Sequence, residues 1–251
     1  MTTAPAPLHP TSESLAGRTV VLLGGSAGMG FETARRARAE GADVVLAARD
    51  PERLRRAAAE VGARSAEAFD VTDIPRLETF LAGLPSIDHV LVTAGGPYYA
   101  PLAELDFDRA HRSVEEHLWL PLHLARSLRG RLRPGGSLLF VGGTGARRPA
   151  AGLALASATS AAMQALVAGL ALELAPARIN LIAPGFVDTP LSASLLGDQL
   201  DARREQLRAT LPIGRVVEPE DVAALAVHLM TNTALTGATY DIDGGQQLLE
   251  R

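Results

Sequence analysis

The stretch GGSAGMG (24–30) leaves a short apolar run and opens a helical pattern, an arrangement suited to holding phosphate. Gly24 permits a tight turn, Gly28 lets backbone approach a pyrophosphate, and Gly30 lets helix and strand pack closely. The free N–H groups at the helix start add a favourable field for an anion. Gly24, Ser26, Gly28, Met29 and Gly30 are therefore the expected phosphate-loop contacts of a dinucleotide cofactor. Groups that could act on a substrate are fewer. The chain has no cysteine, and all 24 of its Lys+Arg residues are arginine, so thiolate and lysine chemistry are both excluded. Its three tyrosines are Tyr98, Tyr99 and Tyr240. Tyr98 and Tyr99 follow the glycines of VTAGG (92–96), where they would line a substrate space. Arg147 and Arg148 follow another apolar run; a guanidinium there could hold a substrate carboxylate but could not supply a proton, because it stays charged. Arg147 is the expected pocket residue.

Positioning these groups requires strands that end together. Apolar runs at 18–25, 42–48, 63–69, 88–96, 136–143, 177–185 and 238–245 alternate with helical patterns at 28–40, 51–61, 73–84, 107–129, 153–175 and 218–230. Such alternation implies right-handed crossovers and a parallel sheet covered on both faces, a three-layer α/β/α single domain. Gly24–Gly25, Ala94–Gly96, Gly142–Gly143 and Pro184–Gly185 all fall at the C-terminal ends of these runs, so a shared ligand-binding edge is expected. Residues 1–15, rich in Pro, Thr and Ser, read as a flexible tail, and 16–251 as the domain.

These features together resemble the short-chain dehydrogenase/reductase family over residues 16–248. Gly24, Gly28 and Gly30 match its Gly-x-x-x-Gly-x-Gly. Asp70 and Val71 in FDVTD resemble its adenine-contacting segment. Ala94 and Gly95 match the end of its Asn-Asn-Ala-Gly, with Val92 and Thr93 in place of the asparagines. Pro184, Gly185, Val187 and Thr189 in RINLIAPGFVDTP resemble the run that covers the nicotinamide. The resemblance implies a Rossmann-type doubly wound sheet and a nicotinamide cofactor. At the end of the second strand, where an NAD-preferring member carries an acid, this chain has Ala48 and then Arg49. A guanidinium grips a 2′-phosphate that a carboxylate would repel, so NADP(H) is expected over NAD(H), although Asp50 follows one step later.

The family's proton donor is a Tyr-x-x-x-Lys pair on a helix, with a Ser on the preceding loop and a relay Asn on the neighbouring helix. Aligned without a gap from LALELAPARINLIAPG (170–185), the tyrosine falls on Ala156, the lysine on Ser160 and the serine on Gly143. With no lysine in the chain, no realignment restores the pair. Thr144, one residue from the serine position, could orient a carbonyl. His117 falls at the relay Asn and could carry a proton near neutral pH. Both are candidate catalytic residues.

A net charge of −4 and a pI near 5.9 give no nucleic-acid footprint. No run reads as a membrane span, no secretory signal is recognised, and no metal-ligand spacing is found, so a cytoplasmic protein acting on a small molecule is expected. The small-residue helix 153–175 and the stripe 114–128 imply a homodimer or homotetramer. The alternatives to an atypical oxidoreductase are an isomerase or lyase that keeps the cofactor, or a non-catalytic NADP(H) sensor or partner subunit.

Overall fold

The computed structural model describes residues 14–249. Strands β1 (Thr19–Leu23), β2 (Asp43–Ala48), β3 (Ser65–Ala68), β4 (Ile87–Val92), β5 (Leu132–Val141), β6 (Arg178–Pro184) and β7 (Thr239–Ile242) form one sheet. All pairings are parallel, in the order β3-β2-β1-β4-β5-β6-β7. Helices α1 (Gly28–Ala39), α2 (Pro51–Val61) and α9 (Pro219–Thr231) cover one face; α3 (Ile74–Ala82), α5 (Leu120–Leu128) and α6 (Ala154–Glu173) cover the other. Strand alternation sends Val21 and Leu23 into the second core, and Val20 and Leu22 into the first. Both faces are thus buried, which is why the strands read as continuous apolar runs.

Four features depart from the sequence reading. The helix expected over 107–129 is α4 (Phe107–Val114), a π-helical turn (Glu115–Trp119) and then α5. Pro121 has no N–H to give the His117 carbonyl, and the widened turn takes up that break. Two helices escaped the periodicity scan, α7 (Pro190–Leu196) and α8 (Leu200–Thr210); together they bury one residue fully, Leu207, so neither carries a strong apolar stripe. Leu15, placed in the tail, is 1% exposed and packs with Val20 and Leu22, so the domain begins before residue 16; residues 1–13 of the expected tail lie outside the described residues. The expectation that no run reads as a membrane span is also corrected. α6 is long and apolar enough to cross a bilayer by length and composition, yet Met163, Val167 and Leu170 pack it on the sheet.

Polar burial is concentrated where the N-terminal ends of β4, β5 and β6 meet. Arg178 donates to the carbonyls of Leu229 (2.5 Å), Met230 (2.6 Å) and Asn232 (3.1 Å), satisfying the C-terminal end of α9. His89, equally buried, pairs through Nδ1 with Ser137 Oγ at 2.9 Å. Burial, and then the Arg178 charge, hold its imidazole down at about 4. The unfolded chain binds this proton near the ordinary value of about 6.5. Stability from the neutral ring is therefore complete above that value and is lost as pH falls toward 4. Chemical denaturation at pH 7 and pH 4.5 should show the native protein losing more stability than His89→Gln. The difference should approach a ceiling of roughly 3 kcal/mol; equal losses would show that His89 does not carry the effect.

Candidate functional site

The sheet order reverses direction between β1 and β4, which opens a crevice at their C-terminal ends. Gly24 turns the chain there with φ +105°, and its N–H donates to Ala47 O at 2.8 Å. Thr93, from the end of β4, donates through Oγ1 to Gly24 O at 3.1 Å. A Cβ on Gly30 would lie 2.5 Å from that Thr93 oxygen and would also collide with the Gly24 carbonyl oxygen. Only glycine therefore lets α1 sit this close to the strand ends. The N-cap of α1 is Ala27, with no side-chain cap, whereas Asp50, Asp73 and Asp106 cap α2, α3 and α4. The first-turn amides of α1 are left without a side-chain acceptor, and an anion fits that vacancy in the hydrogen bonding. Across the crevice, the Cβ position of Gly28 (φ +55°) lies 3.4 Å from Thr189 Cγ2, so the loop 24–30 faces the segment 184–189.

Farther out on the same edge, Arg49 is exposed and has no ion-pair partner among the described residues. Asp50 is committed to its own helix, accepting from Arg53 N at 2.9 Å. Burial alone would raise the Asp70 carboxyl. Hydrogen bonds from Thr72 N (3.0 Å) and Thr72 Oγ1 (2.8 Å), with the charge of Arg49, outweigh burial and hold it below the usual carboxylate range. Val71 beside it is buried in the core.

A cavity of about 810 Å³ fills the edge from β4 to β6. Of the residues singled out from sequence, Met29, Ala94, Gly95, Pro184, Gly185, Val187 and Thr189 line it, as do His117, Thr144, Tyr98 and Tyr99. Gly24, Ser26, Gly28, Gly30, Arg49, Asp70 and Val71 lie outside its walls, along the crevice and the outer strand ends. Ala156 and Ser160, one helical turn apart on α6, both face the cavity, as does Gly143. The positions the family resemblance assigns to a phenol, an ammonium and a hydroxyl thus carry a methyl, a hydroxyl and a hydrogen.

The remaining polar groups are held as follows. His117 sits in the π turn, and its Nδ1 lies 2.7 Å from Ser113 O. A carbonyl only accepts, so Nδ1 carries a hydrogen and Nε2 is the nitrogen left over. Thr144 opens the short turn Thr144–Arg147, and its hydroxyl has no hydrogen-bond partner among the described residues. Tyr98 is buried, accepts from Asp106 N at 2.9 Å and lies beneath the Arg109 guanidinium, 4.6 Å from its ring centre. Tyr99 is half-exposed at the rim. The segment 184–189 is fixed from several sides. Gln246 Oε1 accepts from Phe186 N at 2.8 Å, Thr189 caps α7, and Asp188 binds Arg204 through both oxygens at 2.7 and 2.8 Å.

Arg147 is a correction. Its guanidinium pairs with Asp241 on β7 at 2.9 Å and takes no part in the cavity wall. Arg148 lines the cavity instead, because successive residues of the short turn face different ways. Arg109, Arg203 and Gln246 also line it and were not foreseen. Arg203 belongs to the overlooked α8; Leu191, Leu195 and Leu196 of α7 add an apolar wall. The i, i+4 spacing of Leu191 and Leu195 was the available signal for that helix. Asn180 makes structural hydrogen bonds only, to Leu235 O at 2.9 Å and from Ala238 N at 3.2 Å.

A family model described as enoyl-(acyl carrier protein) reductase matches residues 24–247. The short-chain dehydrogenase/reductase malC of Malbranchea aurantiaca is 28% identical over 97% of this chain and 99% of its own length. The cyclic-di-GMP-binding biofilm dispersal mediator protein of Escherichia coli K12 is 31% identical over 91% of this chain and 96% of its own. Among solved structures, the MalC reductase/Diels-Alderase superposes with a TM-score of 0.85 at 27% identity, covering 94% of this chain and 98% of that one. A small-chain dehydrogenase in complex with NADPH gives 0.80 at 27% identity, covering 93% and 100%.

Proposed function

The chain belongs to the short-chain dehydrogenase/reductase family, and from that premise we propose an NADP(H)-preferring oxidoreductase that works on a carbonyl or hydroxyl group with a proton donor other than the family's tyrosine. The observation that carries the reading is the pairing of Ala156 and Ser160 with His117 and Thr144 around one cavity bordered by the segment 184–189.

The residues present fit a dinucleotide. The uncapped amides of α1 would take the pyrophosphate, Arg49 a 2′-phosphate, Asp70–Val71 the adenine side, and Pro184–Thr189 the nicotinamide side. When bound, the nicotinamide supplies or accepts the hydride. The chain's own part is to orient and to move a proton. The free Thr144 hydroxyl can donate to a substrate oxygen and fix its direction. His117 gives Nδ1–H to Ser113 O, so its neutral ring offers only an acceptor at Nε2. Only a ring with hydrogen on both nitrogens donates from Nε2. A solved relative is NADPH-bound, which supports the cofactor reading.

A second reading has one specific support. With no phenol or ammonium on α6, the cavity could orient a reactive molecule beside a retained nucleotide, as an isomerase or lyase would; a related solved structure is that of a reductase/Diels-Alderase. Consumption of NADPH during turnover separates the two.

The assembly is proposed on different grounds. Leu172 on α6 is 83% exposed, and Trp119 and Leu122 border a groove shared by α5 and α6. This apolar face is the proposed contact between copies of the chain. Light scattering should give a dimer or tetramer that Leu172→Arg dissociates; a concentration-independent native monomer would refute it.

Two further outcomes are expected. By calorimetry NADPH should bind more tightly than NADH, and Arg49→Ala should weaken NADPH about 10- to 100-fold while leaving NADH unchanged. Equal affinities would overturn the preference. The unaltered protein should turn over simple ketones and aldehydes poorly, because a positioned proton donor contributes roughly 10²–10⁴-fold. Ala156→Tyr with Ser160→Lys should raise that rate, and His117→Ala should slow the native reaction roughly 10²–10⁴-fold. Brisk ketone reduction unaffected by His117→Ala or Thr144→Val would locate the chemistry elsewhere.

A further inference from the structure

The cavity is cationic on a protein that is acidic overall. Arg109, Arg148 and Arg203 line it and no Asp or Glu of the described residues does, although Glu116 stands behind the wall and accepts from Gly96 N at 3.4 Å, and the chain carries a net charge of −4. The imbalance is local and follows a pattern within two adjacent arginine pairs. Arg147 pairs with Asp241, while Arg148 turns into the cavity. Arg204 pairs with Asp188 and Asp201, while Arg203 turns into the cavity. In each pair one guanidinium meets a carboxylate and its neighbour meets none among the described residues.

The two inward arginines are both held by one linked pair of residues, Gln246 and Phe186. Arg148 Nη1 donates to Gln246 O at 2.7 Å. The side chain of the same Gln246 accepts from Phe186 N at 2.8 Å. The Phe186 ring lies beneath the Arg203 guanidinium, 5.9 Å from its centre. Arg203 makes one further bond, from Nη1 to Gln206 Oε1 at 2.8 Å. Each guanidinium has five N–H donors, so most of the donors on both remain for a ligand. Burial lowers the Arg203 pKa from its ordinary value, the mark of a cation partly removed from water without a counter-charge. The tie of Arg148 to Gln246 and the stack of Arg203 on Phe186 limit side-chain motion, which reduces the ordering cost of binding. The phosphate loop at 24–30 contributes only Met29 to this cavity, so the pyrophosphate expected there belongs to another part of the crevice.

We propose that Arg148 and Arg203 together form an anion-binding site for the substrate, taking a carboxylate or phosphate group at the Phe186–Gln246 side of the cavity. The inference rests on reading the cavity as a substrate space, but not on the reaction performed there. Its substrate class is an acidic molecule whose reacting carbon lies between that anchor and the wall formed by His117 and Thr144.

Binding of unreactive probes tests the site apart from catalysis. Benzoate, phenyl phosphate and benzamide share a ring and differ in charge. Ligand-observed NMR titration of the NADPH-loaded protein should show at least one of the two anions binding at least 10-fold more tightly than benzamide. The tighter of the two identifies the anion the site is built for. Arg148→Gln and Arg203→Gln should each abolish the preference, with unchanged melting temperature and unchanged NADPH affinity. Equal binding of all three probes, a preference that survives both substitutions, or a loss of NADPH affinity in Arg203→Gln would overturn the proposal. Failure of carbonyl reduction with the anion preference intact would overturn the reductase reading alone.

Discussion

The close approach of α1 to the ends of β1 and β4 is the constraint on which the site depends. Gly24 has to reverse the chain at positive φ, Gly30 has to present a bare backbone to the Gly24 carbonyl, and Thr93 has to tie the two strand ends together. With all three in place, the N-terminus of a three-turn helix points into the crevice where the strand order reverses, and its amides meet no side-chain cap. The opposite wall, residues 184–189, is secured by a different set of contacts: Asp188 to Arg204, Phe186 to Gln246, and Thr189 to α7. Two rigid walls with a polar, uncapped helix end between them make a dinucleotide crevice whether or not the chemistry beside it is standard.

Next to that preserved half, the substrate half is built differently. α6 approaches the loop after β5 through small side chains: Ser160 Oγ lies 3.4 Å from where a Cβ on Gly145 would stand. Tyrosine and lysine at 156 and 160 would occupy space that the wall now leaves to the cavity. His117, the residue proposed to handle the proton, lies in a π turn beside α6 that Pro121 sets by interrupting the helix. His117 is presented by that turn and oriented by Ser113 O, so a single proline shapes the geometry of an imidazole that lines the cavity.

The arginines tell a related story about charge. With lysine absent, every cation in the protein is a planar fork that can bind a carboxylate through two parallel bonds. Among the described residues Arg204 and Arg215 bind a carboxylate this way, and ion pairs on the surface add little stability. The exceptions that matter are those turned inward beside a partnered neighbour, because a half-buried guanidinium without a counter-ion is costly unless a ligand supplies one.

The sheet, its parallel sense and the phosphate loop are legible in the residues alone, because those rest on local rules. Buried strands must be apolar on both faces, turns at positive φ demand glycine, and the loop is contiguous in sequence. The residues also show what the chemistry lacks: a chain without lysine cannot hold a Tyr-x-x-x-Lys pair in any alignment. Which of two adjacent arginines enters the cavity is set by the folded arrangement. Arg147 and Arg148 are equivalent as letters, and the choice is made by Asp241, almost a hundred residues away. The same holds for His117, whose ring orientation follows from a π turn that periodicity cannot distinguish from continuous helix, and for α8, whose Arg203 matters through its stack on Phe186. Such choices depend on long-range pairing and side-chain direction, which local sequence patterns do not encode.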